Sequence, residues 1–376
     1  MTSTQFIGQP TRRQLLGALA AMSVAGVLPS QISAATAAPL VLAYTDGQVP
    51  AAYTNLQAFY AQLGAVGLGS TWSLLADGSL SDVGMSSTTQ KIIKFAKKKA
   101  LPLYPTVSDY SDALGEFDPA VSRGILANAA AREAALGAML QLAAGQGFAG
   151  IDLDWEAVEE GNATAFSSFV ADLAARLHAQ GLKLILSVPP KFDDISSPWL
   201  AGYDYAALGV SVDWLQVMTY DEVGPGWCTT GFNHGKWPGP ESGLDWQQAV
   251  LGYTLARVPA AKVLSGLPAY GYDYSTGKVV YWSKYGKTIA AHAGAVMVRD
   301  SASVTPSASW GTVTPQRDGK PWSKATRQPV LWFDDAQSLA AKTSLVRSLG
   351  LGGTSVWAMG YEDAAFWDAV TAGLKP

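Results

Sequence analysis

The chain is almost without cysteine and histidine. Cys228 is its one thiol in 376 residues, and its three histidines, His178, His234 and His292, lie far apart. One cysteine excludes an internal disulfide framework and any zinc site built on several thiolates. The histidines fit no His-x-x-x-His spacing, which removes the helix signature of zinc hydrolases. Charge is scarce as well. Only 15% of residues are Asp, Glu, Lys or Arg, and the formal net charge is −4. A mildly acidic chain lacks the basic field that attracts phosphate backbones, so no nucleic-acid partner is expected. No Gly-x-Gly-x-x-Gly follows the first strand-like run, which weakens the case for a dinucleotide-binding sheet. Tryptophan is plentiful, at 13 residues. Most tryptophans pack cores, but flat apolar rings also serve as platforms for sugars.

The first residues read as an address. Arg12 and Arg13 precede an apolar run from Leu15 to Leu28, and Ala35-Thr36-Ala37 has the small-x-small form of a cleavage site. The adjacent arginines resemble a bacterial twin-arginine signal, a route for already folded cargo. The apolar run is shorter than the roughly 20 residues needed to span a bilayer. Residues 1–37 are therefore expected to be an export signal, and residues 38–376 a secreted or periplasmic, monomeric domain without stable membrane insertion. Residues 1–37 carry two arginines and no acid, so their removal takes the net charge to −6.

Strand-like apolar runs alternate with helical patterns along the rest of the chain. The runs are Leu40–Tyr44, Ala65–Leu74, Leu101–Val107, Gly150–Trp155, Leu182–Val188, Trp214–Thr219, Val263–Pro268 and Gly353–Met359. Between them, helices are expected at 91–99, 122–144, 163–180, 245–257 and 335–349. Such alternation predicts a parallel α/β architecture, and eight units fit a (β/α)8 TIM barrel. An open doubly wound sheet is the second architecture compatible with the pattern. One interval breaks the rhythm. Residues 272–328 hold short apolar runs at 278–282, 295–298 and 310–313, which predict a small strand-rich insertion after the seventh strand. The stretch 227–243 predicts a long loop after the sixth.

The chemistry concentrates at Gly150-Ile-Asp-Leu-Asp-Trp-Glu156. In an extended chain, Asp152, Asp154 and Glu156 point to one side. Three carboxyls facing a low-dielectric interior repel one another, and at least one pKa must rise. A carboxyl kept protonated near neutral pH is what a general acid needs. Three acids also suit a divalent cation, but no calcium-loop pattern lies nearby.

This segment resembles the catalytic strand of the family 18 glycoside hydrolases, the chitinase family, whose pattern is Asp-x-x-Asp-x-Asp-x-Glu. The last three acids match Asp152, Asp154 and Glu156, while Ala149 stands at the first position. Further segments are similar in the same order. Trp214–Asp221 carries the Met-x-Tyr-Asp signature of the sixth strand. Lys262–Gly271 resembles the seventh strand, and Gly353–Trp357 the eighth, which ends in a Trp under the sugar. Within the family, Ser70–Gly78, Arg132-Glu133 and Val330–Asp335 look closer to the bacterial spore-cortex and cell-wall N-acetylglucosaminidases.

The resemblance implies a glycosidase that cuts β-1,4 bonds of N-acetylglucosamine-containing glycans, in chitin oligomers or peptidoglycan. It implies Glu156 as general acid and base, Asp154 as the partner of the substrate's acetamido group, and Asp152 as a proton-sharing support. Tyr220 would orient the acetamido oxygen. Met218, Asp221, Trp357, Tyr44 and Tyr270 would contact sugar. It requires no metal and no organic cofactor. A lectin-like member of the same barrel is the second reading, from which Glu156 would typically be missing.

Overall fold

The eight expected strands pair as parallel neighbours. They are β1 (Leu40–Asp46), β2 (Ala65–Leu74), β3 (Leu103–Ser108), β4 (Gly150–Asp154), β5 (Lys183–Val188), β6 (Trp214–Val217), β7 (Val263–Pro268) and β8 (Gly353–Met359). Each hydrogen-bonds to the next, and β8 returns to β1, so the sheet closes into a (β/α)8 barrel. The closed ring excludes the open doubly wound alternative. This computed structural model describes residues 38–375 except 83, 195–199, 229–235 and 318–324. The expected export signal and His234 lie outside the described residues.

The strands read as nearly unbroken apolar runs because both faces are covered. Alternate residues divide between two cores. Leu42, Tyr44, Ala65, Tyr104, Ile185 and Leu264 plug the barrel interior toward the amino-terminal ends of the strands. Their neighbours Val41, Ala43, Val66, Ile151, Leu153 and Leu184 pack outward under the helices.

A helix follows every strand. Three of these, Ala51–Phe59, Tyr205–Ser211 and Ala364–Leu374, have no counterpart among the five expected from sequence. The single helix expected at 122–144 is two, Pro119–Ala127 and Ala129–Gln146. Asn128 separates them: its backbone is extended, and its side chain accepts the N–H groups of Ala130 and Ala131 as an N-cap.

The insertion after β7 is a five-stranded antiparallel sheet of Tyr270–Asp273, Lys278–Tyr281, Val296–Arg299, Pro306–Ser309 and Val330–Trp332. It reaches slightly past the expected bounds of 272–328. The strand expected at 310–313 lies instead at Pro306–Ser309, which pairs with strands on both sides. Trp310, the residue that suggested a strand, stacks flat on His292 with ring centroids 3.8 Å apart.

Candidate active site

Strand register assembles the site from the bottom upward. On β4, Asp152 stands beside Thr106 of β3, and Asp154 beside Ser108. Asp152 is fully buried inside the barrel. Its Oδ2 accepts from Thr106 Oγ1 at 2.9 Å and its Oδ1 from Ser187 Oγ at 3.0 Å. Tyr44 Oη lies 3.3 Å from the same Ser187 hydroxyl. Burial pushes the Asp152 carboxyl up to about 6, against the lowering effect of these hydroxyl donors.

One layer higher, Asp154 and Glu156 open onto a cleft of about 620 Å³ at the carboxyl ends of the strands. Between them Trp155 points outward and is buried, stacked on Phe166 and Phe169 with centroids 5.6 and 5.0 Å away. That anchor keeps the alternation running past the end of β4, which turns Glu156 inward. Desolvation pushes Glu156 up to about 8, aided by the charges of Asp109 and Asp221. Asp154 is raised by burial first, then by the charges of Glu156, Asp152 and Asp109. These carboxyls titrate as a coupled group, and together they hold a proton at neutral pH. Asp154 Oδ1 is buried without a hydrogen-bond partner among the described residues.

Tyr220 projects into the cleft beside these acids. Burial and the charges of Asp154, Glu156 and Asp221 raise its pKa well above 10, so it stays a hydroxyl. Gly266 on β7 makes room for it: a Cβ there would stand 2.7 Å from the Tyr220 ring. Trp357, at the end of β8, also lines the cleft, and its ring passes over Gly69, where a Cβ would come within 3.1 Å. The peptide bond from Trp357 to Ala358 is cis.

Met218, Asp221 and Tyr270 complete the side of the cleft formed by β6 and β7. Asp221 Oδ1 accepts from Tyr270 at 2.9 Å and from Tyr272 at 2.5 Å. Asp221 opens onto the solvent of the cleft, yet the protein packed around it desolvates the carboxyl enough to raise its pKa, and the two tyrosine donors pull it back.

Seven of the nine residues singled out from sequence therefore line one cleft: Asp154, Glu156, Met218, Tyr220, Asp221, Tyr270 and Trp357. Asp152 and Tyr44 lie beneath it. Tyr44, expected to contact sugar, is 3% exposed in the interior plug, where it supports Asp152 through Ser187. Three further tryptophans take different places. Trp72 packs on Phe148, and Trp237 is buried against Tyr274. Trp227 is 42% exposed and donates to the Asp221 carbonyl at 2.8 Å.

Several contributors carried no sequence signal of their own. Thr106 and Ser187 are ordinary strand residues until register sets them beside Asp152. Asp109 is fully buried just past the end of β3, a location where barrel enzymes place functional groups. Its Oδ1 accepts the Glu156 N–H at 2.9 Å and its Oδ2 the Ala157 N–H at 3.1 Å. Ser70, Thr71, Tyr110 and Phe117 form the wall opposite Tyr220 and Asp221. Among the described residues, no group of three His, Cys, Asp or Glu side chains is arranged to hold a metal ion.

Residues 76–362 match the family described as glycosyl hydrolases family 18. The fold is similar to that of a class V chitinase from Pseudomonas fluorescens Pf-5. The TM-score is 0.88 and the identity 58%, over 90% of this chain and 100% of that one. A chitinase from Chromobacterium violaceum ATCC 12472 superposes with a TM-score of 0.78 at 35% identity, again over 90% of this chain and 100% of that one. The uncharacterized glycosylase YvbX of Bacillus subtilis is 29% identical over 350 residues, 91% of this chain and 93% of its own length.

Proposed function

The chain belongs to the glycosyl hydrolases of family 18 and is a glycosidase, and from that premise we propose that it cleaves β-1,4 bonds of N-acetylglucosamine oligomers with retention, using the substrate's own acetamido group as nucleophile. The observation that carries this reading is the vertical stack of carboxyls. Asp152 lies buried beneath Asp154, and Asp154 stands beside a proton-holding Glu156, with Tyr220 facing both across the cleft.

In the proposed reaction Glu156 gives its proton to the glycosidic oxygen as the bond from that oxygen to the anomeric carbon breaks. The acetamido carbonyl oxygen attacks the anomeric carbon from the other face, and an oxazolinium ion forms. Asp154, whose buried Oδ1 has no partner among the described residues, accepts the acetamido N–H and offsets the ion's positive charge. The Tyr220 hydroxyl donates to the acetamido oxygen and holds it in line. Water then attacks the anomeric carbon as its bond to the acetamido oxygen breaks, Glu156 takes the water's proton, and two inversions leave the configuration retained. Most retaining glycosidases use a second enzymic carboxylate as nucleophile; this family is an exception to that rule.

Charge favours an uncharged glycan. Asp46, Asp112, Asp154, Glu156 and Asp221 line the cleft, and no Lys or Arg stands among its described lining residues. Peptidoglycan carries carboxylates on its stem peptides and on any muramic acid without a peptide, which such a cleft repels, whereas chitin oligomers carry none. A binding-only protein has no use for a general acid, which disfavours the lectin reading.

Incubation with chitin oligomers, purified peptidoglycan and N-glycans tests this, with proton NMR following the first product. Chitin oligomers should be cleaved fastest, and the new reducing end should appear as the β-anomer. An initial α-anomer, or a trapped glycosyl-enzyme, contradicts the mechanism. We further propose export through residues 1–37. Replacing Arg12 and Arg13 by Lys in a reporter fusion should block translocation, and unimpaired export would refute the twin-arginine route.

A further inference from the structure

The family pattern has four acids, and here the first position is Ala149. A fourth carboxyl nevertheless reaches the site, from the end of the neighbouring strand. Asp109 is fully buried, and its two oxygens accept the consecutive N–H groups of Glu156 and Ala157. The rest of that turn is also held by side chains. Tyr203 Oη donates to the Trp155 carbonyl at 2.7 Å and accepts the Val158 N–H at 3.3 Å. Ser122 Oγ donates to the Ala157 carbonyl at 3.0 Å. Glu156 thus sits on a four-residue turn whose polar backbone is clamped from both sides. Asp109 also starts the hairpin 110–117 that walls the cleft, since its own carbonyl accepts the Asp118 N–H at 2.9 Å.

A clamp alone does not call for a carboxylate. Burying an ionisable group costs far more than burying a hydroxyl, and Tyr203 performs the same clamping without charge. The charged and titratable groups that face Asp109 are Asp118 from its own loop, Asp154 at the end of β4, Glu156 just past it, and Tyr203. No cation is among these described groups, so a negative Asp109 opposes ionisation of the acids beside it, Glu156 and Asp154.

We propose that Asp109 is the positioning residue of the general acid: it fixes the turn that presents Glu156 and sets a negative charge beside that acid. The proposal rests on the assignment of Glu156 as general acid. The electrostatic sense agrees with the geometry: burial pushes both carboxyls up, and the charge of Asp109 adds to the rise at Glu156. A negative Asp109 therefore opposes ionisation of Glu156.

Asp109→Asn keeps one acceptor and removes the charge. On a fluorogenic chitobioside, the alkaline limb of kcat/KM should move to lower pH by about one pH unit, the size expected of a like charge at this range, with KM within about twofold. Tyr203→Phe loosens the turn without altering charge, so it should lower kcat and leave the limb in place. An unmoved limb in Asp109→Asn, or an equal shift in Tyr203→Phe, overturns the proposal. A second readout needs neither turnover nor a folded Asp109 variant. In wild-type protein with 13C-labelled Asp and Glu carboxyls, assigned by through-bond correlation, the Glu156 resonance should carry an inflection at the titration midpoint of the Asp109 resonance. No inflection there refutes the coupling. If the chitobioside is not cleaved at all, the substrate assignment fails, while the titration still decides the role of Asp109.

Discussion

Glu241 Oε1 accepts the backbone N–H of Asp221 at 3.0 Å, at a residue whose φ of +62° lies in the left-handed region. Non-glycine residues rarely adopt that conformation. The buried Glu241 carboxyl therefore holds in place a backbone that turns the Asp221 side chain toward Tyr270 and Tyr272. Glu241→Ala should raise KM for chitin oligomers about tenfold, the equivalent of about 1.4 kcal/mol from one lost buried hydrogen bond. Steady-state kinetics check this, and an unchanged KM would separate Asp221 from sugar binding.

The Asp152 network predicts a pH effect of defined sign. Ser187 donates a hydrogen bond that favours the ionised form of Asp152, whose pKa burial has already raised to about 6. Ser187→Ala removes that donor, so the Asp152 pKa must rise further. The proposed mechanism requires one negative charge on the Asp152–Asp154 pair. The acid limb of kcat/KM should then move to higher pH while the alkaline limb stays in place. A shift of the acid limb to lower pH is the contrary result.

Gly266 predicts loss of function without removal of any reacting group. A Cβ at that position would stand 2.7 Å from the Tyr220 ring, and interiors packed to crystal density do not absorb such an overlap. Gly266→Ala should tilt Tyr220 away from the acetamido site and lower kcat on chitobioside by about 100-fold, the effect of a displacement of about 1 Å. Thermal unfolding should show the fold retained. Wild-type kcat in this variant would remove Tyr220 from the mechanism.

Beneath the insertion, Lys342 Nζ lies 2.6 Å from Asp334 Oδ1, with the two side chains 0% and 2% exposed. Ser338 Oγ donates to the same oxygen. Lys342→Met leaves Asp334 buried without its cation and should cost about 3–5 kcal/mol in urea unfolding. Adding Asp334→Leu should recover most of that loss. Equal destabilisation of both variants would contradict a penalty that arises from the unpaired charge.

The barrel was legible in the sequence because its strands are continuous apolar runs at regular intervals. Elements that owe their form to caps or to tertiary contacts were not. The break at Asn128 depends on one side chain folding back on two N–H groups, and the strand at Pro306–Ser309 has no apolar pattern to announce it. The acids of β4 stood out because their alternation clashes with burial. Asp109 did not, because a lone acid after a strand reads as a turn until the fold brings Glu156 onto it. Tyr44 was expected at the end of the first strand, but β1 runs on to Asp46, and sequence could not say how deep in the barrel Tyr44 lies.

The central claim is that Glu156 is the acid that breaks the glycosidic bond, and Glu156→Gln tests it most directly. The variant keeps the size of the side chain and its place on the clamped turn but has no proton to give. Turnover of chitin oligomers should fall by at least about 1,000-fold, toward what is left when general acid catalysis is lost, while calorimetry still detects oligomer binding. Turnover at the wild-type rate would contradict the account.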